Sequence, residues 1–387
     1  MKSYVYRLYP HKPQAEKLDS LLYIARWLYN SALDERKHAW RLQRKSLNYY
    51  DQANQLKEIR QILPEVAELN YSSCQDMLKR LNKSYQAFYR RIKKRGNPGF
   101  PRFKGKNQFS SITFPVYGDG IKLIENKLRV QNVGTLKIKL HRSLEGAIKT
   151  VTIKKECGKW YAIFSCEVGT NPLPKSNKQV GIDVGLEYFA VTSDEEYIEN
   201  PHYLREAESK LRRSQSSVSR KKKGSNSRHK AVKILAKNHQ NVRRKRKDFH
   251  HKVAKQIVDN NGFIAVEKLQ IDNMVKNHHL AKSINDAGWG QFIDILAYKA
   301  EYAGREFIKV PPQGTSQICS QCGAVVPKTL AVRTHRCPIC GAVLHRDYNS
   351  ALNVLSLGRR LGGVTWQNTA CVPPEAVGKQ SRHLVHH

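Results

Sequence analysis

Four cysteines near the C-terminal end of the chain have the spacing of a metal site. Cys319 and Cys322 form one Cys-x-x-Cys pair, and Cys337 and Cys340 form a second pair after fourteen intervening residues. A glycine follows each pair and lets the backbone turn its amides toward sulfur. Four thiolates make the closed tetrahedral shell of a structural Zn2+ site. A redox role would leave one pair idle, so we predict one zinc ion, with His335 at the surface or beside the ligands.

Three acidic residues lie on apolar elements of an otherwise basic chain. Asp183 lies within VGIDVG, Glu267 ends the apolar part of FIAVEKL, and Asp347 begins a helix in HRDYNSA. A buried carboxylate is costly unless it is paired or bound to a metal. Three of them suit two Mg2+ ions that clamp the attacking and leaving oxygens of a phosphodiester. Taken singly, a turn residue, a salt bridge and a helix N-terminal charge explain them equally well.

The charge of the chain indicates a polyanionic partner. Lys and Arg number 68 against 32 Asp and Glu, a formal net charge of +36, and residues 210–247 hold sixteen Lys or Arg without one acid. Neutralising a nucleic-acid backbone releases condensed counterions, which favours nucleic acid as the partner. The basic segment is either a long helix pair or a partly mobile arm. Its candidate nucleic-acid contacts are Arg220, Lys221, Lys222, Arg243 and Arg244.

Composition excludes several other classes of protein. With 40% hydrophobic residues the chain is not a disordered polycation. No apolar run reaches about 18 residues, and the N-terminus lacks the apolar stretch of a signal peptide. We therefore expect a cytoplasmic prokaryotic protein that acts at the nucleoid, with no membrane partner. Its 387 residues predict two or three domains.

The elements that must position these residues fall into two halves. Residues 2–9 alternate as a strand, amphipathic helices follow, and residues 111–168 return to a period of two. This order predicts a β-barrel with a helical insertion after its first strand. Beyond a polar linker at 171–178, strands alternate with helices, which predicts an α/β domain.

Several long motifs resemble those of the TnpB family. In chain order they are YVYRLYP, GNPGFPRFK, GIDVGLEYFAVTS, FIAVEKL, GWGQFIDILAYKAEYAG, VPPQGTSQICSQCG, HRCPICG and HRDYNSALNVL. TnpB proteins are RNA-guided DNA endonucleases of bacterial and archaeal insertion sequences, and they are similar to type V CRISPR effectors. The resemblance covers residues 1 to about 358.

The resemblance implies a multidomain α/β plus β-barrel fold. Its nuclease domain would be RNase H-like (RuvC-like), with the zinc module inserted as a target-nucleic-acid-binding element. The implied boundaries are 1–10 and 97–170 for a barrel wedge domain, 11–96 for a helical recognition insertion, 171–178 for the linker, 179–314 and 346–358 for the nuclease domain, 315–345 for the zinc module and 359–387 for an irregular tail.

The resemblance also implies an activity. Asp183, Glu267 and Asp347 would be the catalytic acids and the Mg2+ ligands, and all three are present. The partners would be a guide RNA from the end of the transposable element and a double-stranded DNA target, cut beside a short adjacent motif. By position, the candidates for reading that motif are Ser73, Gln75 and Lys79 on one helix and Thr113 in a nearby loop.

Two other functions remain open at this point. A catalytically silent, RNA-guided DNA-binding repressor would have lost a catalytic acid, whereas this chain keeps all three. A transposase-type strand-transfer enzyme would need an end-recognition domain, and nothing beyond the basic helices resembles a helix-turn-helix.

Overall fold

The computed structural model describes residues 1–329 and 332–362. The chain divides into two compact units, Met1–Gly169 and the part that begins at Thr170. The division falls just before the linker expected at 171–178. Among the described residues, no helix is both long enough and apolar enough to cross a membrane.

A seven-stranded antiparallel sheet, curled into a nearly closed barrel, forms the first unit. The strands are β1 (Lys2–Tyr9), β2 (Ser111–Phe114), β3 (Ile121–Ile124), β4 (Lys127–Val130), β5 (Gly134–Lys139), β6 (Ala147–Glu156) and β7 (Lys159–Glu167). Their order is β2-β6-β7-β1-β5-β4-β3. The first strand therefore lies in the middle of the sheet, and its alternate residues Tyr4, Tyr6 and Leu8 are buried. The predicted barrel is confirmed.

The predicted helical insertion between β1 and β2 is confirmed as well. It consists of α1 (Lys12–Gln43), α2 (Tyr49–Ile62), α3 (Pro64–Glu68) and α4 (Tyr71–Lys93), and a short 3-10 turn follows at Lys106–Gln108. Apolar residues at helical spacing, such as Leu21 and Leu28 on α1 and Leu78 and Leu81 on α4, are buried in one core with the strand residues. Burial of these apolar stripes joins the insertion to the barrel.

A five-stranded mixed sheet organises the second unit. Its strands are β8 (Gln179–Asp183), β9 (Tyr188–Thr192), β10 (Tyr197–Glu199), β11 (Phe263–Glu267) and β12 (Glu306–Val310), in the order β10-β9-β8-β11-β12. Strand β9 is antiparallel to both of its neighbours, β10 and β8, whereas β11 runs parallel to both β8 and β12. The carboxyl ends of β8 and β11 therefore meet at one edge of the sheet.

Helices and a small hairpin complete this unit. The helices are α5 (Tyr203–Ser219), α6 (Asn226–Asn260), α7 (Ile271–Met274), α8 (His278–Ala287), α9 (Trp289–Tyr302) and α10 (Arg346–Leu361), and the hairpin is β13 (Thr334–Arg336) with β14 (Val343–His345). Helix α10 continues to Leu361, so the prediction of an irregular tail from 359 is wrong for residues 359–361. The tail residues 363–387 lie outside the described part of the chain.

The basic segment is a helix pair rather than a mobile arm. It spans most of α5 and the first two thirds of α6, which pack together through Leu211, Val218 and Val242. Between them the Asn238 amide donates a hydrogen bond to the Ser214 hydroxyl at 2.8 Å. Most of the sixteen cations remain exposed. The buried stripe between α5 and α6 is thus narrow, and the remaining surface of this helix pair is cationic.

Two glycines let α10 lie directly on the sheet. A Cβ atom at Gly181 on β8 would stand 2.2 Å from the Ala351 carbonyl oxygen and 2.5 Å from the Leu355 nitrogen. A Cβ atom at Gly358 on α10 would stand 2.5 Å from the Ala265 Cβ atom on β11. Backbone therefore packs on backbone along β8, and this contact fixes where the first turn of α10 lies.

Replacing Gly181 with alanine is expected to displace α10. Overpacking of this kind costs about 1–3 kcal/mol, and because the obstacle is backbone we expect the upper end, a fall in Tm of roughly 5–10 °C. Calorimetry would measure it. Gly169→Ala is the matched control, since a Cβ atom there meets nothing within 4 Å. An unchanged Tm for Gly181→Ala would contradict the packing described above.

Candidate active site and metal centre

Three carboxylates converge at the edge of the mixed sheet. Asp183 is the last residue of β8 and Glu267 is the last residue of β11. These strands are parallel neighbours, with Ile182 opposite Val266. The next residue on each strand is an acid, so Asp183 and Glu267 lie side by side at the edge of the sheet. Asp347 lies in the first turn of α10, which packs on both strands. The structure therefore brings together the three acids that lie far apart in the sequence.

The three acids share an electrostatically unfavourable position, in which Glu267 and Asp347 are buried and Asp183 is partly buried. Burial raises the pKa of Asp183 well above its usual value, and the charges of Glu267 and Asp347 raise it further. Burial also raises the pKa of Glu267, and the negative charge of Asp347 raises it further. Like charges held this close in a site of low polarity repel one another. A cation at this edge would remove the repulsion.

Two hydroxyl groups lie beside the acids, and the sequence reasoning missed both. The Thr315 hydroxyl donates a hydrogen bond to Glu267 Oε1 at 2.5 Å. The buried Ser350 hydroxyl lies beside Asp183 and Glu267 and lowers the pKa of each carboxyl group. Ser350 had a detectable signal, because it lies three residues after Asp347 and so on the same face of α10. Thr315 had none.

One oxygen of Asp347 is left without a hydrogen-bond donor. Asp347 Oδ2 is buried and accepts no hydrogen bond. Its charged neighbour is Arg333, whose Nη1 atom lies 4.0 Å away, at the outer limit of an ion pair. A buried carboxylate oxygen with its lone pairs unused is costly. It is also what a hard divalent cation takes as a ligand, so these residues fit a metal of that class.

The four predicted cysteines do form a compact cluster. Their sulfur atoms all lie within 4.8 Å of one another. Cys319 Sγ is 3.7 Å from Cys340 Sγ, and Cys322 Sγ is 3.5 Å from Cys337 Sγ. A tetrahedron with Zn–S bonds of 2.3 Å has edges of about 3.8 Å. These two sulfur–sulfur distances are close to that edge, so the cluster fits a zinc ion. Among the described residues, no other group of three or more potential ligands is as tight, the three acids included.

Backbone amides prepare the cluster for a metal. The glycines after the pairs, Gly323 and Gly341, have φ values of 76° and 75°, which confirms the predicted turns. Backbone N–H groups of Cys340 and Ile339 lower the pKa of Cys337 to about 6. A thiolate is the form that binds zinc. His335 is not a surface residue, because its side chain is completely buried in the hairpin.

Hydrogen bonds tie the cysteine module to the helix that carries Asp347. The Asn349 amide donates to the Ile318 carbonyl at 2.7 Å and accepts from the Ser320 N–H at 2.9 Å. The Asn353 amide donates to the Thr315 and Ile318 carbonyls at 2.8 and 2.7 Å. Thr315 in turn holds Glu267. The module is therefore part of the support of the acidic site.

The candidate nucleic-acid contacts differ in accessibility. Ser73 is completely buried at the start of α4, so its side chain presents no surface to a nucleic acid. Thr113 lies on β2 rather than in a loop, and its hydroxyl accepts a hydrogen bond from Arg80 Nη2 at 2.6 Å. Gln75 is half-buried and Lys79 is exposed on α4. The other candidates, partly or fully exposed, are Arg220, Lys221 and Lys222 at the end of α5 and Arg243 and Arg244 on α6.

Comparison with known proteins reveals relatives along most of the chain. A Streptomyces pristinaespiralis protein named "Putative RNA-guided DNA endonuclease" is 32% identical over 365 residues, which cover 92% of this chain and 89% of the relative. This chain belongs to the TnpB/OrfB_IS605 family. An Escherichia coli (strain K12) protein of the same family, named "Putative RNA-guided DNA endonuclease InsQ", is 29% identical over 380 residues, 92% of each chain.

Family models match three parts of this TnpB-family chain. The OrfB_IS605 model, described as "Probable transposase", matches residues 163–278, and the "Cas12f1-like, TNB domain" model matches 289–354. Together they contain the three acids and the four cysteines. A model described as "Helix-turn-helix domain" matches residues 1–45, where the structure has one strand and one helix, β1 and α1.

A cryo-EM structure of a Cas12f1–sgRNA–target DNA complex aligns over 92% of this chain and 98% of its own, with 16% identity and a TM-score of 0.36.

Proposed function

We propose that this protein is an RNA-guided DNA endonuclease that cuts double-stranded DNA beside a short adjacent motif. The observation that carries the proposal is the convergence of Asp183, Glu267 and Asp347 at one edge of the mixed sheet. An antiparallel β10-β9-β8 set followed by β11 and β12 parallel to β8 is similar to the RNase H-like (RuvC-like) arrangement. The relatives named as RNA-guided DNA endonucleases, aligned over most of this chain, support the same activity.

The three acids would hold divalent cations, with Mg2+ as the expected metal. When bound, such ions activate water and stabilise the leaving oxygen of a phosphodiester. The hydrogen bond from Thr315 fixes the orientation of the Glu267 carboxylate, so that it need not reorganise during the reaction. The close packing of α10 on β8 would hold Asp347 beside Asp183.

The remaining cations have a separate task. The α5–α6 surface presents a row of Lys and Arg side chains that suits phosphate backbones without reading bases. Sequence specificity would come from pairing between a guide RNA and the target strand. This division explains why an enzyme with an acidic catalytic site carries a net charge of +36.

The decisive experiment retargets the guide. The protein is produced with the DNA that flanks its gene, the copurifying RNA is sequenced, and the segment of that RNA that pairs with the target is replaced by one that matches a new site. We expect cleavage in Mg2+ to move to the new site, and ribonuclease treatment before addition of DNA to abolish it. Cleavage that survives ribonuclease or ignores the new guide would overturn the guided mechanism.

Strand transfer is the second candidate, and the "Probable transposase" description of the matched family model favours it. The same reaction separates the two activities. A nuclease leaves free ends on the target, whereas a strand-transfer enzyme joins a donor end to it. A radiolabelled donor oligonucleotide found covalently attached to the target would establish the second activity.

A further inference from the structure

The helical insertion contains an aromatic cavity that neither the acids nor the cysteines use. It lies where the end of α1, the segment leading to α2, the C-terminal half of α4 and the loop after α4 meet, and its volume is about 550 Å3. That volume is within the roughly 300–1,000 Å3 of ordinary ligand sites. Five aromatic rings line it: Trp40, Tyr85, Phe88, Tyr89 and Phe100.

The rings leave a face open to solvent. Phe100 meets Phe88 and Tyr85 edge-on, with ring centroids 5.2 and 5.6 Å apart, so these three support one another. Trp40 and Tyr89 are 54% and 50% exposed despite their size. Large aromatic side chains that gather around a cavity while remaining exposed indicate a binding surface.

A buried arginine with an unused donor lies in the wall of this cavity. Arg36 is only 6% exposed, and its Nη2 atom has no hydrogen-bond partner. Its other two nitrogens donate to neutral side-chain amides, Nε to Gln52 Oε1 at 2.7 Å and Nη1 to Asn82 Oδ1 at 3.3 Å. A buried donor without an acceptor is costly. An acceptor atom on a ligand would remove that cost.

The rim of the cavity is cationic. Lys37, Arg41 and Lys45 line it and are exposed, and Asp34 is the one acidic residue of the lining. The groups that meet here are flat rings, an unused guanidinium donor and exposed positive charges. A ligand that matches all three has a planar ring, an acceptor on the edge of that ring, and a negative charge.

We infer that this cavity binds an unpaired nucleotide of the guide RNA. The base would stack on Tyr89 and Trp40, an acceptor on its edge would take the Arg36 Nη2 hydrogen, and the flanking phosphates would contact the cationic rim. Bases in a DNA duplex or in a guide–target duplex are paired and stacked, whereas loops and ends of a folded RNA offer free bases to aromatic side chains. The identity of the RNA rests on the proposed function, but the binding chemistry does not.

Single substitutions of the exposed rings test this site. The full-length protein and its Trp40→Ala and Tyr89→Ala variants are titrated into a fluorescent, unstructured ten-nucleotide RNA and into an RNA hairpin. Both titrations are done in about 0.3 M salt, which suppresses backbone-only binding. We expect each variant to bind the single strand about 5- to 100-fold more weakly and the hairpin stem equally well. Equal affinity of wild type and variants for the single strand would overturn the inference.

Tyr23→Ala is the matched control. Tyr23 is 58% exposed on the same helix as Trp40, lies outside the cavity lining, and is about 25 Å away along the helix axis. We expect this variant to bind the single strand like the wild type. An equal loss in Tyr23→Ala would mean that exposed aromatics bind RNA generally, which would also overturn the inference.

Crosslinking decides which nucleic acid occupies the site. The complex with its copurifying RNA is irradiated before and after addition of target DNA, and the linked peptides are identified by mass spectrometry. We expect peptides with Trp40 or Tyr89 attached to an unpaired RNA nucleotide, and attachment to target DNA instead would overturn the assignment to guide RNA. The oligonucleotide titration requires neither a guide nor cleavage, so a failure of the proposed function is distinguishable from a failure of this site.

Discussion

Replacing Asp183 with asparagine is expected to reduce DNA cleavage by at least about 10³-fold. The substitution keeps the size of the side chain and removes a carboxylate that the proposed mechanism uses to hold divalent cations, whose charge stabilisation is worth several kcal/mol. A time course of cleavage under single-turnover conditions, with guide RNA and Mg2+ in excess, measures the effect.

A loss of fold cannot account for this result, because the same substitution relieves an unfavourable interaction. Burial and the charges of Glu267 and Asp347 raise the pKa of Asp183 and so disfavour its charged form. We therefore expect the Tm of Asp183→Asn in the absence of metal to equal or exceed that of the wild type. RNA copurification is expected to be unchanged.

Asp194→Asn provides the matched control for the loss of one carboxylate. Asp194 is exposed just after β9, and its carboxylate pairs with Lys178 at 2.9 Å. An exposed pair of this kind contributes little to stability, so we expect cleavage at the wild-type rate. Cleavage by Asp183→Asn that matched the control would refute the catalytic assignment.

Replacing Cys337 with serine is expected to release zinc and to abolish cleavage. Structural zinc contributes folding free energy, about 10–16 kcal/mol in zinc-finger peptides. Because the cluster supplies only four ligands, the loss of one thiolate leaves the zinc shell incomplete. Without the metal the module would lose its order, and Thr315 would no longer be held beside Glu267. Metal analysis is expected to fall from one zinc per chain to well below one, with new proteolytic cuts within residues 315–345.

Cys157→Ser controls for the loss of a thiol. Cys157 lies in the turn between β6 and β7, in the other compact unit, and is a free cysteine. We expect its zinc content, proteolytic pattern and cleavage rate to match those of the wild type. Freshly purified wild-type protein with well under one zinc per chain would contradict the four-thiolate site itself.

The zinc cluster was predictable from the sequence because its determinants are local. Two Cys-x-x-Cys turns, each followed by a glycine, preorganise two pairs of sulfurs whatever surrounds them. Only the approach of the pairs to one another required tertiary structure. The barrel was predictable for a similar reason, since strand alternation in residues 2–9 and 111–168 records which side chains face a core.

The acids were candidates in the sequence, but spacing left their meaning undecided. A carboxylate at a strand end is compatible with a salt bridge, a cap or a metal ligand. Asp183 and Glu267 meet because β8 pairs in parallel with β11. Asp347 joins them because α10 packs closely on β8 at Gly181. Their catalytic role stays a prediction that the substitutions above test.

Burial was the property that the sequence predicted least well. Ser73 was named as a nucleic-acid contact and is buried, whereas Arg36, never singled out, is a buried guanidinium in the wall of a cavity. Both lie on amphipathic helices, where one step of about 100° separates a core position from a surface position. The helical pattern alone does not show how much of the helix surface the neighbouring elements cover, and so which positions beside the apolar stripe are buried.

The sequence by itself determined the family, the net charge of +36, the two Cys-x-x-Cys pairs and the three candidate acids, because residue type, composition and local spacing carry these properties. Tertiary structure alone decided that the three acids meet, that Thr315 orients Glu267, and that five aromatic rings line a cavity beside Arg36. The physical reason is that each of these arrangements joins elements distant in the chain. Packing of whole strands and helices, not the local pattern, sets their distances.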